Sequence, residues 1–472
     1  MNTKIQAAMF AGAIAALSAT AYADNAQTPD GSLTWKGITL YGTLDAGVQY
    51  QSQGAPESDY FPPGTNSIIQ KNSNGSQTSV GGNNLSQSKL GIKGQEEFGN
   101  GWSGVFKAEI FINPWSGQIS DALKSVTLNN GKALAVQNTG VDSSIAGQLF
   151  GGVAYLGVSN AQFGTLTFGR NMGVLADGIG KYDPMLASQA FSPLGFSGTA
   201  AGGGDTEDRR LDSSVKYDAV FSGIHVAAQF QPKTGANPGT TQEFAVGFAA
   251  EGGSIDVFYM QKNDAIAAAS LSAAQLADIA AVCAGTATAT QAADYSCAAQ
   301  NKGLSATISD NSTTGVMGKY IFASIGTTVS AGYEQIKYTN PSDPVLGNAG
   351  QAIIGGYVLA TTSNTAFPST KKLGISWIGA KFTPMANLDL TGAYYRYDQN
   401  SFSTAHPGCS SAETSSQCSG SENFLAFVAD YHFTKRFDSY VGAMWSQVEG
   451  GLANGYLHTS TIDPTIGFRY SF

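Results

Sequence analysis

The sequence has little charge and no long apolar run after its first residues. Only 12% of its 472 residues are Asp, Glu, Lys or Arg, about half the share found in ordinary soluble domains. No apolar stretch beyond the N-terminus reaches the ~20 residues that a membrane-spanning helix needs. The net charge of −9 argues against a nucleic-acid partner. Such a composition is unusual for a secreted protein unless the apolar residues are hidden by alternation with polar ones.

Recognisable catalytic motifs are also missing. The four histidines, His225, His406, His432 and His458, are scattered and belong to no nucleophile, HExxH or phosphate-loop motif. An enzyme would need a positioned nucleophile and base, such as a Ser–His pair. The sequence therefore predicts no catalytic residues, no metal and no cofactor.

The N-terminus predicts a secretory signal peptide. Lys4 is followed by the uncharged, Ala-rich run 5–17 and then by Ala21-Tyr22-Ala23, with small residues at positions −3 and −1. A membrane anchor is the alternative, but an apolar core of roughly a dozen residues is short for a transmembrane helix. We expect cleavage after Ala23, which makes residues 1–23 the signal peptide and 24–472 a single mature domain.

Apolar and polar residues alternate with a period of two along the rest of the chain. Residues 38–50 carry Ile38, Leu40, Leu44 and Val48 on one parity and polar residues on the other. Thirteen residues is long for a soluble strand and suits a tilted strand that crosses a membrane. The same pattern returns after Trp102 and continues to the last strand.

The connections alternate between short and long. Short turns include 99–100, 252–253 and 434–436, whereas the polar stretches 114–146 and 263–313 are long. This arrangement is typical of an all-β transmembrane antiparallel barrel with short periplasmic turns and long extracellular loops. We predict sixteen strands, at about 37–51, 86–98, 101–113, 147–158, 161–170, 209–218, 222–231, 242–251, 253–262, 314–322, 325–338, 371–382, 387–398, 422–433, 437–448 and 461–472. In lipid every backbone polar group must be paired, so such a sheet has to close.

The last strand ends in an aromatic pattern, with Phe468, Tyr470 and Phe472 on one face. Here the chain resembles the Gram-negative general porins, especially those of the neisserial and burkholderial kind. The resemblance covers the whole mature chain and includes the motifs Thr39–Gly42, Ser88–Gly94, Phe163–Arg170 and Ser213–Asp218.

The resemblance implies a general diffusion porin of the bacterial outer membrane, through which small hydrophilic solutes and ions pass. In such porins the third loop folds into the lumen, and its acidic residues face basic residues on the opposite wall. Here that loop runs from Asn171 to Asp208, and Asp183 is the first acidic candidate, followed by Asp177.

The basic side of the predicted constriction comprises Lys89, Lys93, Arg170, Arg209 and Arg210. Alternation alone would point Arg170 at lipid, which is costly in the middle of a bilayer. We therefore expect a bulge at Gly169, or a position for Arg170 already past the strand.

The resemblance also implies partners. General porins of this size are homotrimers, often with the second loop (here 114–146) latched onto a neighbour. They contact outer-membrane lipid and lipopolysaccharide, and the barrel-assembly machinery reads the C-terminal aromatic strand.

Four cysteines fit an oxidising compartment. Four cysteines allow three pairings, and their positions favour Cys283–Cys297 and Cys409–Cys418 within two long loops. Metal binding is the alternative, although no histidine accompanies either pair. Ser272 and Gln275 form a capping-box pattern that predicts a short helix ahead of Cys283.

Two other channel or surface functions stay open. A substrate-specific channel would show a lumenal aromatic ladder for sugars or a dense Arg and Lys run for anions, and neither is evident. A repetitive adhesin would lack the terminal aromatic strand. The sequence does not decide the ion selectivity, because the net acidity favours cations and the basic residues of the predicted constriction favour anions.

Overall fold

A computed structural model describes residues 33–54, 69, 71, 73, 75–82, 84–114, 116–119, 130–132, 149–194, 210–234, 239–295, 297, 303–343, 352–354 and 357–472. The predicted signal peptide, 1–23, lies outside these residues. In the described part, no helix has both the length and the apolar character required to cross a membrane.

Sixteen long strands form the body of the molecule. In chain order they are β1 Ile38–Gly54, β2 Lys89–Gly99, β3 Trp102–Asn113, β4 Ala154–Asn160, β5 Gly164–Met172, β6 Arg210–Phe221, β7 Ile224–Gln231, β8 Thr241–Ala250, β9 Gly253–Ala269, β10 Leu304–Phe322, β11 Thr327–Thr339, β12 Lys371–Met385, β13 Leu388–Gln399, β14 Gly420–His432, β15 Phe437–Gly450 and β16 Ser460–Ser471. Short accessory strands at Leu33–Trp35, Gly75–Gly82, Gln118–Ile119, Ala352–Ile354 and Tyr357–Ser363 extend the sheet.

The sheet closes on itself. Each barrel strand pairs antiparallel with the next, and β1 pairs antiparallel with β16 in the register Thr43↔Ser471. At the seam, Gly42 and Phe472 exchange backbone hydrogen bonds of 3.0 and 3.1 Å. The predicted closed antiparallel barrel of sixteen strands is confirmed, and closure leaves no free edge in lipid.

The two faces of the wall differ as the alternation predicts. On β1, Leu44 and Val48 are each 42% exposed, while Asp45 and Gln49, on the other parity, are buried. In a closed barrel the exposed apolar parity faces outward and the polar parity faces the lumen. The outward face therefore presents a lipid-compatible surface.

Aromatic residues gather where the turns are short, which we name the short-turn rim. Trp102 stacks on Phe163 with ring centroids 5.8 Å apart, and Phe437 stacks on Phe468 at 5.8 Å. Aromatic side chains are favoured at the interfaces between membrane and water. The predicted C-terminal aromatic residues Phe468 and Tyr470 belong to this outer layer and are 53% and 43% exposed.

The hairpin of β9 and β10 is longer than predicted. β9 extends to Ala269 and β10 begins at Leu304, so both strands enter the predicted loop 263–313. Their pairing shifts register between Lys262 and Ala265. The alternation of apolar and polar residues does not reveal these strand ends, because Ile266 and Leu304 pack in a small buried cluster that is separate from the main apolar cluster.

In the described part of the connections there are three α-helices: α1 Val174–Tyr182, α2 Ala273–Ala284 and α3 Ala289–Asp294. The predicted capping box is present at the start of α2, where Gln275 N donates to the Ser272 hydroxyl and the Gln275 side chain accepts from Ser272 N. The structure pairs Cys283 with Cys297 and Cys409 with Cys418.

We predict that Gly47→Ala destabilises the barrel at its seam. A Cβ at residue 47 would lie 2.2 Å from the backbone oxygen of Ile466 in β16, and overpacking of this kind costs about 1–3 kcal/mol. Gly104→Ala is the matched control, because the nearest atom to its Cβ lies at 4.0 Å. The midpoint of the heat-modifiable gel shift should fall for the first variant alone, and equal midpoints would refute the seam strain.

Candidate functional site

The connection after β5 enters the lumen and packs on its wall. Helix α1 lies against β7 to β11, and its apolar residues Val174, Leu175 and Ile179 are buried. They share one apolar cluster with inward residues such as Phe258 of β9 and Ile336 of β11. Burial of these apolar side chains stabilises the packing of α1 on one side of the lumen.

Hydrogen bonds and an ion pair fix the position of α1. The Leu175 N–H at its first turn donates to Glu243 Oε2 of β8 at 2.8 Å, where a carboxylate also complements the helix dipole. At the other end, Lys181 forms a 2.8 Å ion pair with Asp256 of β9. Burial opposes the charged form of Lys181, but hydrogen bonds and charge attraction from Asp256 and Tyr182 together outweigh burial and raise the lysine pKa above its ordinary value.

Asp183, the first acidic candidate, does not face the lumen. Its side chain is buried, and it accepts hydrogen bonds from Tyr395 of β13 at 2.6 Å and from Met185 N and Ala187 N at 3.1 and 2.7 Å. Burial raises the pKa of this carboxyl above its ordinary value, against hydrogen bonds that lower it. The structure therefore does not expose Asp183 to water in the predicted constriction; its carboxylate caps the turn after α1.

Three lysines lie on the wall formed by β2 and β3. Lys89 of β2 and Lys107 of β3 each lie 3.2 Å from Glu109 Oε1, and Tyr41 donates to the same oxygen at 3.0 Å. Lys93 is exposed and sits 5.5 Å from the centre of the Tyr41 ring. The lysine side chains are about one-third exposed, whereas Glu109 is 3% exposed, so this wall presents positive charge to water.

The side formed by β5, β6 and the first turn of α1 presents the opposite sign. Arg170 pairs with Asp212 at 2.5 Å, and Lys216 pairs with Asp177. In both pairs the basic side chain is about one-tenth exposed and the carboxylate about half exposed. Asp177, the second acidic candidate, is thus a water-facing acid of the constriction loop.

The bulge expected at Gly169 is present. The register of β5 with β6 shifts between Gly169 and Asn171, and Gly169 has a φ of +130°. The shift turns Arg170 inward, where its guanidinium also donates to the backbone oxygens of Gly151 and Gly152 at 3.2 and 2.9 Å. An arginine that alternation would aim at lipid is therefore satisfied inside the barrel.

The two remaining basic candidates have different outcomes. Arg210 is buried, and its guanidinium lies 4.4 Å from the centre of the Phe111 ring of β3. It supports the wall and presents little charge to water. Arg209 lies outside the described residues.

The positive and the negative side lie near one another. Tyr155 of β4 stands between them, within electrostatic reach of both Glu109 and Asp177. Charges of opposite sign on facing walls of a narrow lumen create a transverse field. The structure thus places Glu109 and Asp177 on either side of Tyr155 and buries Asp183.

Sequence reasoning missed several residues of this site. Lys107 and Glu109 stand on the polar parity of β3, so alternation alone could have placed them in the lumen. Asp212 and Lys216 follow the constriction loop on the polar parity of β6. Their ion pairs join residues up to 42 positions apart and carry no local signal.

The histidines have no catalytic arrangement in the described part of the chain. His225 lies between two carboxylates, with Nδ1 2.6 Å from Asp256 and Nε2 3.2 Å from Asp218. His432 lies near Asp430 and Asp438 at the short-turn rim.

Comparisons with known proteins agree with this architecture. A family model described as Gram-negative porin matches residues 13–451. The chain belongs to the Gram-negative porin family. It is an outer-membrane channel and not an enzyme.

Individual relatives are distant. An outer membrane porin protein of Bordetella pertussis is 25% identical over 196 residues, which is 40% of each protein. The match thus spans less than half the length of that relative. Among solved structures, an anion-selective porin from Comamonas acidovorans is 15% identical, with a TM-score of 0.56 over 92% of this chain and 99% of that one. The trimer form of OmpT from Vibrio cholerae is 13% identical, with a TM-score of 0.52 over the same shares.

We predict that Glu109→Gln shifts this porin toward anions. Glu109 is buried behind Lys89 and Lys107. Removing one charge about 8 Å from a permeating ion changes the energy of that ion by ~0.5 kcal/mol in water, which is roughly a twofold change in permeability ratio. The reversal potential under a KCl gradient measures it. Glu251→Gln, in the exposed turn after β8, is the control, and an unchanged potential in the first variant would show that Glu109 does not act on the passage.

We predict that Tyr395→Phe loosens the constriction loop. The substitution removes the hydrogen bond to buried Asp183, at a cost of about 1–3 kcal/mol. Open-channel current noise should rise and thermal stability should fall. The neighbouring Tyr394→Phe, whose hydroxyl donates to Asn423 on the exposed face, should change neither. Identical noise in both variants would contradict the anchoring role.

Proposed function

We propose that the protein is a general diffusion porin that admits small hydrophilic solutes through a passage bounded by β2–β3 on one side and β5, β6 and α1 on the other. The observation that carries the proposal is the sorting of charge by exposure. Lys89 and Lys107 face water on the first side, Asp177 and Asp212 face water on the second, and the partner of each is largely buried.

This arrangement suits passage without tight binding. A polar solute can align its dipole across the two charged sides, and neither side offers a dense cluster that would hold one ligand. The large aromatic side chains on the lumenal parity, such as Trp377 and Tyr397, are buried against the constriction loop and its surroundings. They are therefore not available as a sugar-binding ladder.

An anion-selective channel is the second candidate. Lys89, Lys93 and Lys107 form an exposed cationic surface on β2 and β3, and the acid between two of them is buried. The anion-selective porin from Comamonas acidovorans shares the fold. In an anion-selective channel, the lysines of β2 and β3 would dominate the electric field in the passage.

Single-channel recording with variants of both sides tests the proposal. Stepwise openings with ohmic current would support an open pore, and a folded barrel without conductance would refute it. We predict that the variant K89Q/K93Q/K107Q shifts the reversal potential toward cations and that D177N/D212N shifts it toward anions, each by a roughly fivefold permeability change per effective charge. A shift in the lysine variant alone would favour the anion-selective channel over general diffusion.

We further propose a homotrimer embedded in outer-membrane lipid and lipopolysaccharide, inserted by the barrel-assembly machinery through the strand that ends at Phe472. The solved trimer form of OmpT supports the assembly by analogy of fold. Within the described part of loop 114–146, Asn130 is hydrogen-bonded to its own chain, at Leu271 N and Gly303 O. Light scattering of the detergent-purified protein would give the subunit number.

A further inference from the structure

A cluster of metal-binding groups lies at the short-turn rim, away from the constriction. Asp430 and His432 stand two residues apart on β14, and His432 is the cross-strand partner of Asp438 on β15. One donor atom from each of these three side chains lies within 4.8 Å of the others. The tight turn 433–436 that joins the two strands holds them together.

The neighbourhood carries an excess of negative charge. The carboxylates of Asp430 and Asp438 share one guanidinium, with Arg469 Nη2 3.1 and 3.0 Å from their Oδ2 atoms. Asp45 is the cross-strand partner of Arg469, and Asp389 pairs with Lys381 at 3.2 Å. Asp45, Asp389, Asp430 and Asp438 thus lie near one another beside Arg469 and Lys381, and such an acidic surrounding favours a divalent cation.

Two buried oxygens in the cluster lack a partner. Asp430 and Asp438 are 9% and 7% exposed, and the Oδ1 atom of each accepts no hydrogen bond from the residues that the structure describes. Buried carboxylate oxygens without a donor are rare and need an explanation, such as an ion. Arg469 contacts the Oδ2 atoms and so leaves one oxygen of each carboxylate without a donor.

The histidine is oriented for coordination. His432 Nε2 lies 3.5 Å from Asp389 Oδ2, and Asp389 is itself held by the Thr383 hydroxyl at 2.6 Å. Its other nitrogen, Nδ1, is the one near Asp438, at 4.0 Å from Oδ2. Metal-binding histidines usually have their second ring nitrogen held by a carboxylate in this way.

We propose that Asp430, His432 and Asp438 bind one divalent transition-metal ion at the short-turn rim of the lumen, with Asp389 positioning the imidazole. Imidazole together with two carboxylates suits Zn²⁺ and its first-row neighbours, whereas Mg²⁺ and Ca²⁺ prefer oxygen ligands alone. His432 is 31% exposed at its side chain, so an ion can reach the site from the lumen. The remaining coordination positions are open to water.

Zinc titration of the purified, untagged porin tests the proposal. The full barrel in detergent is stripped with a chelator, and Zn²⁺ binding is followed by calorimetry, with metal content measured after dialysis. We expect one zinc ion per chain and a higher unfolding temperature in its presence. His432→Gln should abolish the site, and Asp389→Asn should weaken affinity about 10–100-fold.

The control is His458→Gln, in the exposed connection before β16, which should bind zinc as the unchanged protein does. Heat modifiability on gels verifies that each variant folds. Absence of bound zinc in the unchanged protein, or equal affinity in folded His432→Gln, would overturn the proposal. If His432→Gln does not fold, X-ray absorption of the zinc-loaded unchanged protein decides, because a shell without imidazole would also overturn it.

Discussion

Complete pairing of the backbone in lipid is the constraint on which the rest of the structure depends. A sheet with a free edge would leave a row of unpaired N–H and C=O groups in hydrocarbon, each costing several kcal/mol. The chain satisfies this requirement by joining β1 to β16, and glycine at residue 47 lets the two backbones approach at that seam. Closure divides every strand into a lipid face and a lumen face, and the alternation of side chains follows from it. The polar residues that alternation turns inward are then available to line a passage.

What fills the lumen is decided by the connection after β5. Its helix buries apolar residues against β7 to β11, so this part of the inner wall is apolar although it lies inside a water-filled barrel. In the channel that we propose, the open passage lies toward β2, β3, β5 and β6 and the ion pairs of those strands. Each pair there buries one partner and exposes the other. A nearly neutral set of residues thereby produces two sides of opposite sign, and the field depends on exposure more than on the number of charges.

The periodicity of the sequence was enough to predict the strands, their even number and their closure, because one face of each strand meets lipid and must be apolar. It also required a bulge at Gly169, since Arg170 could not be left in hydrocarbon. It could not foresee the fate of Asp183, because burial of that carboxylate depends on Tyr395, more than two hundred residues away. The full length of the β9 and β10 hairpin could not be predicted for a related reason. Its outer end packs in a buried apolar cluster, so the residues there do not alternate between apolar and polar.

Thiol accessibility in the lumen tests most directly whether the passage runs beside β2 and β3. The described cysteines are disulfide-bonded, so a single introduced thiol can be followed with a charged, membrane-impermeant reagent during channel recording. Lys93→Cys on the exposed lysine side should react quickly and reduce the current. Ala393→Cys, buried in the apolar cluster on the lumenal face of β13, should stay unreactive in the folded barrel. Equal reaction at both positions, or reaction at residue 393 alone, would contradict the packing of the constriction loop and the placement of the passage.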